Sequence, residues 1–169
     1  MSKILDGLYL GNWESAKDKD WLKEKNISHI CVCAPAVGRF HPGHFQYKII
    51  GMLDLDCFDP YPLLDDAVDF IKKALEEGTG VLVHDFRGDG RAVGCVTAYF
   101  MRETGQNYQM SFNSILSKRP EARLSKKWPP VMKRYEQECV QNIEIINKEK
   151  LLCEEQKKQN IVMNVHTEY

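Results

Sequence analysis

Between residues 61 and 77 apolar side chains recur at Leu64, Ala67, Val68, Ile71, Ala74 and Leu75, with Pro62 near the start and Gly78 just past the end. Spacings of three and four predict an amphipathic helix over this stretch. Residues 80–84 follow a different rule: Gly80, Val81, Leu82, Val83 and His84 form an almost wholly apolar run, as expected of a strand buried on both faces. Three further strands are predicted over 7–11, 28–34 and 45–50, and further helices over 14–25, 91–103, 108–117 and 128–147. Gly105 is placed to close the 91–103 helix. The Pro- and Gly-containing stretch 35–43 and the Asp- and Pro-containing stretch 54–62 read as loops, as does 85–90. Strands alternating with helices, then helices alone, predict an α/β fold with a central sheet of about four or five strands flanked by helices. There is no internal repeat and no apolar run of membrane-spanning length.

The length of 169 residues suits one domain, and 43% apolar content supplies its core. Lys and Arg total 23 against 24 Asp and Glu, a net charge of -1, so neither a nucleic-acid nor a membrane partner is expected. The six cysteines are too few for a disulfide scaffold, and the opening residues lack the apolar run of a signal peptide. A reducing, cytoplasmic location is expected, with the nucleus as the other option. Cys31 and Cys33 share one strand face and read as buried thiols, while Cys57, Cys95, Cys139 and Cys153 are scattered without His at ligand spacing. No metal and no cofactor is expected. Val140, Ile143, Asn147 and Leu151 continue a helical spacing before residues 154–160 turn polar. The expected division is a domain over 1–150 and a polar tail over 151–169, either a solvated helix end or a helix that binds a partner.

The chemistry concentrates in residues 81–94. A buried strand runs into a loop with Gly88 and Gly90, and the loop into a helix, so backbone N–H groups and the positive helix end form an anion cradle. Phe86, Arg87, Gly88, Asp89, Gly90 and Arg91 are the candidate phosphate-binding residues, Arg91 closing the cradle with its guanidinium fork. The Gly-Lys-Ser/Thr ending of a nucleoside triphosphate loop is missing, which excludes a Walker-type NTPase.

His84, Gly88 and Arg91 stand at the offsets of the signature loop of the cysteine-dependent protein tyrosine phosphatases. The resemblance runs from residue 3 to about 136 and is strongest to the small atypical dual-specificity phosphatases. It is carried also by the opening strand around Lys3 to Asn12, by residues 27–30 and 98–101, and by Lys118-Arg119-Pro120. It implies a protein tyrosine phosphatase-like fold in which a Cys thiolate attacks phosphorus, the loop and Arg hold the phosphoryl oxygens, and an Asp protonates the leaving oxygen. This chain departs from that pattern at the nucleophile. Position 85 is Asp, and Cys95 lies ten residues on, within the helix. The hydroxyl residue expected after the Arg is Ala92, and Arg87 and Asp89 replace small or neutral loop residues. The resemblance puts the general acid at Asp54, with Asp56 as the near alternative and ordinary turn residues as the plain one, and gives His84 a loop-fixing role.

Aspartate nucleophiles of other phosphatases work with a divalent cation, for which a cradle of N–H donors offers no ligand. The Asp85 carboxylate is instead expected to fold into the cradle and pair with Arg91. The expectation is a catalytically inactive module, a pseudophosphatase that binds a protein or phosphoprotein partner and regulates signalling or assembly. The alternative is an active protein phosphatase carrying an engineered Cys-to-Asp change at 85, and a third reading is a relative of phospholipid or nucleotide phosphatases.

Overall fold

The computed structural model describes residues 1–166. Residues Met1–Glu136 form one compact unit, and the chain from Gln137 onward forms a second. The first unit contains strands β1 (Ser2–Leu5), β2 (Leu8–Gly11), β3 (Ile27–Val32), β4 (Gln46–Ile49) and β5 (Gly80–His84). Its helices are α1 (Lys19–Glu24), α2 (Leu64–Glu76), α3 (Arg91–Thr104) and α4 (Tyr108–Leu116), and α5 (Trp128–His166) begins in it. The strands make one five-stranded sheet in the order β1-β2-β5-β3-β4, antiparallel between β1 and β2 and parallel elsewhere. The expected α/β architecture is therefore observed.

The continuous apolar run of β5 follows from its position. It is hydrogen-bonded to β2 on one side and β3 on the other, and all five of its residues are buried. The register sets Leu10 and Cys31 on either side of Val83, and Gly11 and Val32 on either side of His84. All these strands therefore deliver their C-terminal ends to one edge, where the 85–90 loop leaves β5. Helix α3 follows the loop and is buried along most of its length, from Ala92 to Met101. Leu8, Leu10, Ile30, Ile71, Leu82, Met101 and Trp128 are among the largest fully buried side chains. Each contributes about 1.5–3 kcal/mol relative to exposure. Trp128 packs so tightly on α3 that a Cβ at Gly94 would lie 2.2 Å from its ring.

Several element boundaries differ from expectation. Residues 2–5, which the resemblance runs together with the following residues as a single opening strand from Lys3 to Asn12, form a separate strand β1, joined to β2 by a turn at Asp6-Gly7. The helix expected over 14–25 is split into a 3₁₀ turn at Ser15–Lys17 and α1, because the Asp18 side chain caps the second piece by accepting the Trp21 N–H at 3.0 Å. Likewise 61–77 opens as a 3₁₀ turn at Tyr61–Leu63 before α2 begins. In the second unit the helix continues to His166 and exposes Val140, Ile143, Ile145, Ile146, Leu151 and Leu152. The final three residues of the expected tail lie outside the described residues, and no helix among those described is long and apolar enough to cross a membrane.

Candidate active site

The loop is held by its own first residue. Asp85, only 2% exposed, accepts the Gly88 N–H through Oδ1 and the Ala92 N–H through Oδ2 at 2.9 Å. The second bond supplies a cap that helix α3 otherwise lacks, since Gly90 at its N-cap has no side chain to offer. Gly88 makes the turn possible. Its φ is +73°, and a Cβ there would lie 2.2 Å from the Gly11 carbonyl oxygen. On the far side Arg119, 4% exposed, donates from Nε to the Gly88 carbonyl at 2.7 Å. The same guanidinium reaches Ser2 Oγ at 3.2 Å and the Leu10 carbonyl at 3.5 Å, tying the loop to β1 and β2.

The expected pairing of Asp85 with Arg91 is not the arrangement found. Arg91 donates to the Met52 carbonyl at 3.1 Å and lies 3.9 Å from an Asp54 carboxylate oxygen. The two Asp85 oxygens are instead turned toward the backbone N–H groups of Gly88 in the loop and Ala92 in the helix. Asp54 thus stands beside Arg91, and Asp56 lies with Cys57 and Arg134 in a separate shallow depression. Arg87 and Arg123 both approach Asp89, at 3.3 and 2.8 Å, and the Arg123 N–H donates to the Asp89 carbonyl at 2.7 Å.

These groups line a cleft of about 490 Å³. Asp54, Asp85, Phe86, Arg87, Asp89, Gly90 and Arg91 form its polar part, and Val37, Leu124 and Trp128 contribute apolar wall. Phe86, 55% exposed, lies at its rim with its ring stacked parallel on Trp13 at 5.6 Å between centroids. Trp13 also donates its backbone N–H to the Phe86 carbonyl and carries the Lys17 ammonium 3.5 Å from its ring centroid.

Beneath the loop His84 is fully buried, its Nδ1 3.4 Å from the Asp85 carbonyl and its Nε2 without a partner. Burial lowers its pKa against the opposing pull of the Asp85 carbonyl and carboxylate. No thiol faces the cleft from position 85. Cys95 is buried, its Sγ 3.4 Å from that of Cys33, which in turn lies 3.9 Å from that of Cys31. Contact with Cys31 and Cys95, together with complete burial, pushes the Cys33 thiol well up. Protonated, enclosed thiols of this kind are inert. Among the described residues no group of three or more His, Cys, Asp or Glu side chains is placed to hold a metal ion.

Of the residues singled out from the sequence, Asp54, Asp85, Phe86, Arg87, Asp89, Gly90 and Arg91 come together in one cleft, whereas Arg119, Arg123 and the Trp13–Phe86 stack had no assigned part in it. Arg119 was visible only as part of Lys118-Arg119-Pro120, with no local pattern saying what it would touch.

A family model described as dual specificity phosphatase, catalytic domain, matches residues 8–138. Dual specificity protein phosphatase 1B of Arabidopsis thaliana is 36% identical over 122 residues, covering 72% of this chain and 73% of that protein. Dual specificity protein phosphatase 1 of the same plant is 38% identical over 121 residues, covering 72% of this chain and 61% of that protein. In MAP kinase phosphatase with leucine-rich repeats protein 2 of Dictyostelium discoideum the matching part is 16% of that protein. Among solved structures, human DUSP28 shares the fold at a TM-score of 0.80 and 19% identity, over 84% of this chain and 99% of that one. A human tyrosine phosphatase-like serine/threonine/tyrosine-interacting protein superposes at 0.76 with 26% identity, over 81% and 95%.

Proposed function

The chain belongs to the dual specificity phosphatase catalytic-domain family, and we propose that it is a member without phosphatase activity, a pseudophosphatase that binds a protein or phosphoprotein partner and so regulates signalling or assembly. One observation carries this reading. The residue standing where the family's resemblance requires a thiol is Asp85, and its carboxylate accepts the Gly88 and Ala92 N–H groups that a substrate phosphoryl group would need. The loop is therefore both without its nucleophile and supplied with an internal anion. The name of the human tyrosine phosphatase-like interacting protein supports a binding role in a chain of similar fold.

The reading of an active enzyme with an engineered change at 85 accounts for one residue only. It leaves unexplained Ala92, where a hydroxyl would assist the second chemical step, and the Arg87–Asp89–Arg123 chain across the loop. Attack by Asp85 itself would require the carboxylate to leave the two amide donors that hold it.

Hydrolysis of a small aryl phosphate tests the proposal, assayed for the protein and its Asp85→Cys variant with and without divalent metal. No turnover by the protein in either condition, with turnover gained by Asp85→Cys, is the expected result. Metal-dependent turnover by the protein itself would overturn it.

A further inference from the structure

We infer that the cleft reads a dephosphorylated side chain, accepting an unmodified tyrosine presented by a partner and rejecting the phosphorylated form of the same residue. This rests on the reading that Asp85 fills the cradle, and it inverts the preference that an open cradle would have.

The charges in the cleft are already matched. Arg87 and Arg123 share Asp89, and Arg91 is held by the Met52 carbonyl with Asp54 beside it. Three guanidinium groups thus face three carboxylates, counting Asp85. An incoming phosphoryl dianion would meet no unmatched cation among them. It would also come against the Asp85 carboxylate, which keeps the Gly88 and Ala92 N–H groups for itself. Like charges at such range in a site of reduced dielectric repel strongly.

A phenolic hydroxyl meets the opposite situation. Each carboxylate oxygen has two acceptor positions, and each Asp85 oxygen receives one amide N–H. One position per oxygen therefore remains for an O–H donor, and an O–H···O⁻ bond is of the stronger, charge-assisted kind. Asp85 lines the cleft and is only 2% exposed, so the donor must sit at the end of a long side chain. The walls suit an aromatic ring: Val37, Leu124 and Trp128 line the cleft, and Phe86 at the rim is held in place by its stack on Trp13. The volume of about 490 Å³ is ample for one such side chain with its flanking backbone.

The test uses the full chain and peptide libraries randomised at the flanking positions, with a fixed central tyrosine, phosphotyrosine or phenylalanine. Fluorescence anisotropy reads binding. The tyrosine library is expected to bind roughly tenfold or more tighter than either of the others, the margin of one charge-assisted hydrogen bond. Asp85→Ala is expected to reverse the order of tyrosine and phosphotyrosine, because it frees two N–H donors and removes the competing anion. Tighter binding of phosphotyrosine by the protein overturns the inference, as does equal binding of tyrosine and phenylalanine, or no binding of any library at millimolar concentration. The comparison of the three libraries stands even where the variant does not fold. Failure of the pseudophosphatase reading is seen separately, as aryl phosphate turnover by the unaltered protein.

Discussion

Replacing Asp85 by Ala removes the acceptor for two N–H groups at once. The Ala92 N–H loses the cap of α3, worth roughly 0.5–2 kcal/mol. The Gly88 N–H, in a buried turn that admits no larger residue, loses its partner at a cost of roughly 1–3 kcal/mol. Relief of the desolvation of a 2% exposed carboxylate offsets part of this, leaving a net loss of about 3 kcal/mol. For a chain of this size that is a fall in Tm of roughly 6–12 °C. The assay is urea and thermal unfolding of both proteins, with and without excess inorganic phosphate. Phosphate is expected to recover stability in Asp85→Ala, by roughly 2.7 kcal/mol at a hundredfold excess over its Kd, and to leave the unaltered protein unmoved. An Asp85→Ala variant as stable as its parent, or equal stabilisation of both by phosphate, would refute the filled cradle.

Gly88→Ala is expected to cost about 4 kcal/mol or more, since it combines a φ of +73° with a Cβ 2.2 Å from the Gly11 carbonyl oxygen, and urea unfolding midpoints read it directly. Arg119→Met keeps the stem and removes the guanidinium that donates to the Gly88 carbonyl and reaches Leu10 and Ser2; a loss of about 2–4 kcal/mol is expected, with faster amide exchange across residues 86–90. Arg119→Lys is expected to recover less than half of it, because an ammonium cannot reproduce the fork. His84 is buried with its pKa lowered from 6.5, so the unfolded chain takes up a proton that the folded chain refuses. Stability is therefore expected to hold above that value and to fall below it by up to about 1.4 kcal/mol per pH unit, and His84→Gln should flatten the profile of urea midpoint against pH.

How much of this was legible from residues alone depends on how far apart the interacting groups lie. Strand β5, the loop and α3 are contiguous, and an apolar run, two glycines and a helical repeat within one stretch announce them. Asp54 was reachable because strand and helix flank it at countable distances. That the opening segment is two strands rather than one was not: four residues at a sheet edge, with one buried side chain, carry almost no periodic signal, although Asp6-Gly7 is a hairpin turn in residue type. Asp18 breaks the expected helix from within a run of charges, where a cap and a solvated side chain look alike. Arg119 and Arg123 come to the loop from 31 and 34 residues beyond Gly88 and Asp89, a placement made by the packing of α3, α4 and the start of α5. The choice of Arg91 between Asp85 and Asp54 was a contest of distances. A backbone donor seven residues along won Asp85, and no spacing rule ranks an amide against a guanidinium.

On the proposed reading the contact that holds the loop also closes it to phosphate, so stability and catalytic competence are expected to trade against each other at position 85. An external phosphoryl group competes with a carboxylate already tethered in place, and tethered groups act at effective concentrations far above those of free ligands. Asp85→Cys removes the competitor and adds the nucleophile, while leaving the Ala92 N–H without its carboxylate cap. It should gain aryl phosphate turnover and lose stability in the same molecule, and bound phosphate or vanadate should return much of what was lost. Gain of turnover without loss of stability would mean that Asp85 holds the loop no better than a thiol does. The proposed lack of activity would then rest on the missing nucleophile alone, and the capping contact would have no part in it.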